Sequence, residues 1–162
     1  MVLFTACQNQ KIRYTQTSSE IDKTKALIKA YDIKNYEALT LNYADTAKLF
    51  INSVENSITP NQLVTLHQSD DDNFSEREFL TENQEYEMVV TDDGKTWVNF
   101  WGNWQGTLKG DNTELKIPVH VTFQFVNGKI VKEYGYWDNT PIVLALQKLK
   151  AKNLEQSTKS IK

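Results

Sequence analysis

Cysteine and histidine are scarce in this chain of 162 residues, which contains one cysteine and two histidines. A single cysteine, Cys7, excludes a disulfide within the chain and any zinc site built from several cysteines. The histidines, His67 and His120, are far apart in sequence, and no spacing of acidic residues around them indicates a metal site. We therefore expect neither a metal ion nor another cofactor.

Blocks of charge of one sign and long apolar runs are absent as well. The net charge is −3, and acidic and basic residues are mixed along the chain. Because there is no basic stripe, nucleic acid is not an expected partner. No apolar run approaches the roughly 20 residues that span a bilayer. The length and the hydrophobic fraction of 40% predict one globular domain with its own core.

The N-terminus carries the one targeting signal. An apolar stretch ends in Thr5-Ala6-Cys7, which resembles the lipobox of bacterial lipoproteins, where a small residue precedes a cysteine that is lipidated. Phe4 replaces the usual leucine, and the six residues before Cys7 carry no charge and are fewer than a signal peptide needs. Either the true start lies upstream or the match is accidental and Cys7 is a free thiol.

The polar segment 8–19 is typical of a flexible tether between an anchor and a domain. We predict a lipid on Cys7 and a membrane-anchored lipoprotein of the bacterial cell envelope, or a cytoplasmic protein if the motif is accidental. The chain is accordingly divided into a signal and tether over 1–19, a domain over 20–152 and a polar tail over 153–162.

Helices are predicted for the first half of the chain. Ser18 and Ser19 are typical N-caps for a helix over 20–31. Thr59-Pro60-Asn61-Gln62 contains the residues of a capping box, with proline at the first helical position. Ser75 and Glu78 have the spacing of another capping box and predict a short helix. The other elements predicted here are a short helix over 32–41, a turn over 42–47, a strand over 48–53 and a solvated loop over 69–73.

Strands are predicted for the second half. Asn127-Gly128 is the strongest hairpin signal in the chain, and apolar residues alternate with polar ones on both sides of His120. Thr140-Pro141 begins a final helix. Helices, then an antiparallel meander, then a helix predict an α+β fold, with helices on one face of a curved mixed or antiparallel sheet that wraps around a pocket. The predicted strands are 86–91, 96–108, 114–126 and 129–138.

Several local sequences together resemble the SnoaL-like, or nuclear transport factor 2-like, superfamily, whose members have a cystatin-like α+β cone. The resemblance covers residues 21–149 and implies a strongly bent sheet whose mouth is closed by helices. Members include isomerases, polyketide cyclases, dehydratases, binding modules and dimerising scaffolds, so the fold does not choose the function. The segments that carry the resemblance are 43–45, 101–107, 117–120, 123–130 and 136–138.

The resemblance implies positions for catalytic groups. In ketosteroid-isomerase-like members a carboxylate base follows the Ala-Asp turn, but the matching segment 48–52 contains no acid, so an isomerase lacks its base here. Cyclases of this type use an acid or a histidine in the later strands, where His120 and Asp138 are the candidates. His120 lies in the polar register of its strand and is expected to face outward or into a dimer interface. Asp138 precedes Asn139-Thr140-Pro141, where capping the last helix is the simpler role.

Large aromatic side chains are the candidate lining of a pocket, because such pockets combine apolar walls with few polar anchors; alternatively, they fill the core. Without the base, we expect a lipid-anchored domain that binds a small apolar molecule or a partner in its cone. The alternatives are a cyclase-, isomerase- or dehydratase-like enzyme that uses His120 or Asp138, and a dimerising scaffold, since sheet faces of this superfamily often pair. The candidate lining residues are Tyr43, Trp101, Trp104, Tyr134 and Tyr136.

Overall fold

The structure, a computed structural model, describes residues 13–159. In this part of the chain, two helices and a strand precede a third helix, a β-meander follows, and a long helix ends the domain. The helices are α1 (Ser19–Asp32), α2 (Tyr36–Thr40), α3 (Pro60–Asn73) and α4 (Thr140–Lys159). The strands are β1 (Tyr14–Thr15), β2 (Tyr43–Ile51), β3 (Phe74–Phe79), β4 (Glu85–Val90), β5 (Thr96–Leu108), β6 (Glu114–Val126) and β7 (Lys129–Trp137).

The strands form one curved, unclosed mixed sheet in the order β1-β4-β5-β6-β7-β2. β2 runs parallel to β7, and the other pairs are antiparallel. The long strand β5 pairs with β4 over its first half and with β3 over its second half. The α+β fold and the curved mixed sheet are as predicted.

Local signals define several element ends as the sequence predicts. The Ser18 hydroxyl accepts a hydrogen bond from the backbone N–H of Ile21, and Thr59 and Gln62 complete a capping box at the start of α3. Asn127 and Gly128 both have positive φ, at 50° and 72°, as a two-residue hairpin turn of type I′ requires.

The core lies between the inner face of the sheet and the helices α1, α2 and α3. Alternate residues of β5 and β6 point inward and are buried, among them Phe100 and Phe123. Ile21 and Leu27 of α1 and Leu39 of α2 are buried in the same core. The helices cover only part of the concave face, which leaves a cavity inside the cone.

Three predicted elements are wrong, two of them because strand pairing with a segment distant in sequence overrides a local signal. Residues 43–47, predicted as a turn, begin β2 and pair with β7 across a register shift between Tyr43 and Lys48. Residues 69–73, predicted as a loop, continue α3. The segment that begins at Ser75, predicted as a short helix, lies in β3 as far as Phe79, since the edge of β5 supplies backbone partners to this strand.

The two ends of the described chain are more ordered than the sequence predicts. Tyr14 and Thr15, assigned to the tether, pair with β4. α4 runs on to Lys159 through the segment assigned to a tail, and its residues from 151 to 158 are exposed. Among the helices within residues 13–159, none combines the length and the apolar character needed to cross a membrane.

Candidate functional site

The cavity inside the cone has a volume of about 300 Å³, at the small end of the range for ligand pockets. Its walls come from α1, α2, α3, the first turn of α4 and the inner face of the sheet, and they are mainly aliphatic and aromatic. The lining residues that carry polar groups determine what the cavity can bind. They are Tyr31, Tyr43, His67, Asp70, Trp104, Glu133, Trp137 and Asn139.

A carboxylic acid and a phenol form the first polar region of the cavity. Glu133 lies on the inner face of β7 and is only 5% exposed. The Tyr43 hydroxyl donates a hydrogen bond to Oε2 of Glu133. Burial raises the pKa of Glu133 to about 7, although the hydrogen bond from Tyr43 acts to lower it. Burial and the neighbouring Glu133 raise the pKa of Tyr43 well above its ordinary value. Near neutral pH, therefore, Glu133 has access to both protonation states, whereas Tyr43 remains a donor.

The parallel pairing of β2 with β7 brings these two residues together across 90 positions of sequence. Glu133 pairs with Phe123 of β6, which is buried on the inner face. Sequence reasoning missed Glu133. The sequence did contain a signal for its position. Glu133 alternates with Gly135 and Trp137 along β7, and the neighbouring strand β6 has Val121 and Phe123 on its inner face.

The second polar region lies where α1 and α3 approach the far end of β5. Nε1 of Trp104 donates a hydrogen bond of 2.7 Å to the Tyr31 hydroxyl, and the rings of Tyr31 and His67 meet edge to face with 4.8 Å between centroids. Nδ1 of His67 is buried and has no hydrogen-bond partner among the described residues. Burial, with a contribution from Arg77, lowers the pKa of His67 to about 4, so its ring is neutral at neutral pH.

Arg77 of β3 contacts Tyr31 and Asp71 and so anchors this second polar region. It is 3% exposed, and its Nε lies 2.7 Å from Oδ1 of Asp71. Its Nη1 donates to the carbonyl oxygen of Tyr31 at 3.1 Å, and its guanidinium lies 3.9 Å from the centroid of the Tyr31 ring. Burial acts to raise the pKa of Asp71, but hydrogen bonds from Tyr36, Arg77 and Lys34 hold it below its usual value. The ion pair thus stays charged and ties α3 to β3 and α1.

Of the predicted pocket-lining residues, Tyr43 and Trp104 line the cavity. Trp101, Tyr134 and Tyr136 do not, because strand alternation places them on the outer face of the sheet. There they stack with other rings, with 6.4 Å between the centroids of Tyr134 and Tyr136, which both lie on β7. Trp101 is 38% exposed and Tyr136 is 49% exposed.

Neither of the two predicted catalytic residues lines the cavity. His120 stacks between Trp101 and Tyr136 on the outer face, at 4.8 Å and 6.2 Å between centroids, and its Nδ1 is 3.1 Å from the carbonyl oxygen of Phe100. Asp138 is exposed and accepts a hydrogen bond of 2.8 Å from the backbone N–H of Thr140 at the start of α4.

Within residues 13–159, no three His, Cys, Asp or Glu side chains are grouped so that they could hold a metal ion. Cys7, the predicted site of lipidation, lies outside the described residues.

No protein-family model matches the sequence, and no curated protein matches it. Solved structures do match. A proposed SnoaL-like polyketide cyclase from Shewanella denitrificans has a TM-score of 0.61 at 18% identity, over 82% of this chain and 99% of that one. A nuclear transport factor 2-like protein of unknown function from Burkholderia pseudomallei has a TM-score of 0.63 at 9% identity, over 78% and 96%.

A protein with a ketosteroid-isomerase-like fold from Catenulispora acidiphila, solved in complex with trimethylamine, has a TM-score of 0.57 at 16% identity, over 71% of this chain and 84% of that one. At these identities the likeness establishes the fold. The chain has the α+β cone fold of the SnoaL-like and nuclear transport factor 2-like proteins.

Proposed function

We propose that this domain binds a small, mainly apolar molecule inside its cone and orients it through the Glu133–Tyr43 pair. The observation that carries the proposal is a buried acid and phenol on the wall of an otherwise apolar cavity of about 300 Å³. A buried carboxyl group whose partner is a single hydroxyl is costly to folding. A hydroxyl or carbonyl group of a ligand would offset part of that cost.

The proposal is tested by comparing naphthalene with 2-naphthol, using quenching of tryptophan fluorescence. Without a polar anchor, naphthalene should bind more tightly because it is more apolar. With the anchor, 2-naphthol should bind more tightly, by about fivefold or more. The double variant Glu133→Leu/Tyr43→Phe should retain naphthalene binding and lose the preference for 2-naphthol.

Tyr134→Phe is the matched control, because it removes a tyrosine hydroxyl from the outer face of the sheet and should leave both affinities unchanged. Absence of binding of both compounds to the wild-type protein would overturn the proposal. Binding with the same preference in the double variant would show that Glu133 and Tyr43 are not the anchor.

A second candidate function, proton transfer in a cyclase-, isomerase- or dehydratase-like reaction, is favoured by the pKa of Glu133, which burial raises to about 7. General acid–base catalysis is most effective with a pKa near the working pH. The Glu133 carboxylate would accept a proton from a carbon next to a ketone. The electron pair of that C–H bond would form an enolate, and return of the proton would regenerate Glu133 and yield the ketone or its isomer.

Exchange of the α-hydrogens of 2-tetralone in D₂O, followed by NMR, tests this second function. The wild-type protein should accelerate exchange over buffer. Glu133→Gln should abolish the acceleration, since an amide does not accept the proton, and should still bind 2-naphthol. Exchange at the buffer rate in the presence of wild-type protein excludes proton transfer from 2-tetralone and leaves the binding function standing.

Attachment to a membrane through a lipid on Cys7 is the remaining part of the proposal, and it rests on the Thr5-Ala6-Cys7 sequence. β1 begins at Tyr14, so six residues lie between Cys7 and the sheet. A chain of that length spans at most about 20–25 Å. A lipid on Cys7 would therefore hold the cone close to the membrane surface.

A further inference from the structure

We propose that the ligand of this cavity is an elongated molecule with an uncharged hydroxyl-type group at each end, and that His67 binds the end opposite Glu133. This inference rests on the proposed binding function and adds the class of ligand to it. Three features of the cavity support it: the separation of its polar regions, the unsatisfied His67 ring and the charge state of the groups around that ring.

The two polar regions lie at opposite ends of the sheet's inner face. Trp104 pairs with Ile117 of β6, whereas Glu133 pairs with Phe123 of the same strand. The two positions on β6 are six residues apart, or about 20 Å along the strand. His67 belongs to the Trp104 end, because it packs on Tyr31, whose hydroxyl accepts the Trp104 hydrogen bond. A compact ligand that contacts Glu133 would leave His67 unpaired.

His67 is the unsatisfied polar group at this end. Its ring lines the cavity, its Nδ1 is buried without a partner, and the ring makes no hydrogen bond to another described residue. Buried polar groups in folded proteins are nearly always paired, so an unpaired one needs an explanation. A phenylalanine would pack on Tyr31 equally well without this cost. A ligand group that pairs with the ring from the cavity would offset part of the cost of burying it.

The surroundings of His67 indicate a neutral ligand group that can both donate and accept. A neutral imidazole has one donor nitrogen and one acceptor nitrogen, and a hydroxyl can pair with either. Asp70, one turn further along α3, also lines the cavity and adds a carboxyl acceptor. Arg77 lies behind Tyr31 with its charge paired to Asp71, so it is not available to an anionic ligand.

The test uses a graded series of α,ω-alkanediols with 1-alkanols of matched chain length, titrated against the whole chain and followed by tryptophan fluorescence. At a chain length that spans the two regions, the diol should bind more tightly than its 1-alkanol, by about fivefold or more beyond the twofold statistical advantage of two ends. A cavity with one polar anchor predicts the reverse for every diol whose second hydroxyl stays inside the cavity, because that hydroxyl would be buried unpaired.

His67→Phe keeps the aromatic packing on Tyr31 and removes both nitrogens. It should reverse the preference for the diol while leaving the affinity for the 1-alkanol within about twofold. His120→Phe is the matched control, since it makes the same change on the outer face, and it should retain the preference.

The outcomes separate this inference from the proposed function. If 1-alkanols bind and every diol binds more weakly, or if His67→Phe retains a diol preference, the inference fails and the binding function stands. If neither 1-alkanols nor diols bind to the wild-type protein, the binding function itself is contradicted.

Discussion

Two cavity side chains, Glu133 and His67, make the stability of the domain depend on pH in opposite directions. The pKa of Glu133 is raised from 4.5 to about 7. The folded state therefore favours the protonated acid, and stability falls as the pH rises from 4.5 towards 7. The pKa of His67 is lowered from 6.5 to about 4. The folded state favours the neutral ring, and stability rises as the pH increases from 4 to 6.5.

We predict that these two contributions largely cancel in the wild-type protein and that single variants reveal them. Each shift corresponds to about 3 kcal/mol between its two limits. In Glu133→Gln, the free energy of unfolding should rise by up to about 3 kcal/mol as the pH increases from 4 to 6.5. In His67→Phe, it should fall by a similar amount between pH 4.5 and 7. Urea denaturation of both variants and the wild-type protein over this range measures the effect. Three parallel pH profiles would contradict the assignment of these pKa values.

At the scale of the element, glycines on the inner face of β5 give the aromatic residues beside them room to lie along the strand. A Cβ atom at Gly106 would collide with the Trp104 ring and lie 3.0 Å from Phe74. At Gly102 it would lie 2.5 Å from the Phe100 ring. Because Gly106 has no side chain, the Trp104 ring can lie against this position. The hydrogen bond from Trp104 then fixes the position of the Tyr31 hydroxyl.

We expect Gly106→Ala to destabilise the domain by about 1–3 kcal/mol, because the added Cβ would press on the Trp104 ring and on Phe74, and to weaken binding of 2-naphthol by displacing Trp104. Urea denaturation and fluorescence titration measure the two effects. Gly94→Ala is the control. Gly94 has a φ of +80° and no atom within 4 Å of a built Cβ, so alanine there should cost stability through backbone strain and leave binding unchanged. If Gly106→Ala binds 2-naphthol as the wild-type protein does, Trp104 does not depend on this glycine.

At the scale of the whole molecule, the question is whether Cys7 joins the cone to a membrane. With the protein expressed from its natural gene in a bacterium, we predict that it fractionates with membranes and incorporates labelled palmitate. Cys7→Ser should appear in the soluble fraction without label. An unlabelled wild-type protein in the soluble fraction would contradict the anchor.

Features that depend on residues close together along the chain could be predicted from local patterns. The capping box of Thr59 and Gln62 and the hairpin turn at Asn127-Gly128 form as predicted, because each is completed within four residues. In a long strand, the alternation of apolar and polar residues predicts where the strand begins and ends. β5 and β6 have the predicted bounds. The order of these elements predicted the α+β fold with a curved sheet, and the resemblance of several local segments to SnoaL-like proteins implied the cone.

The positions of the polar groups in the cavity depend on how the strands and helices pack together. Alternation shows which residues of a strand share a face, but pairing and packing decide which face is inside. Trp101 and Tyr134 therefore lie outside, and Glu133 lies inside. β3 shows the same limit, since its local spacing predicts a helix and its partner β5 makes it a strand. The Glu133–Tyr43 pair joins residues 90 positions apart. The raised pKa of Glu133 arises because the completed cone buries this residue. No local pattern in the sequence encodes that burial.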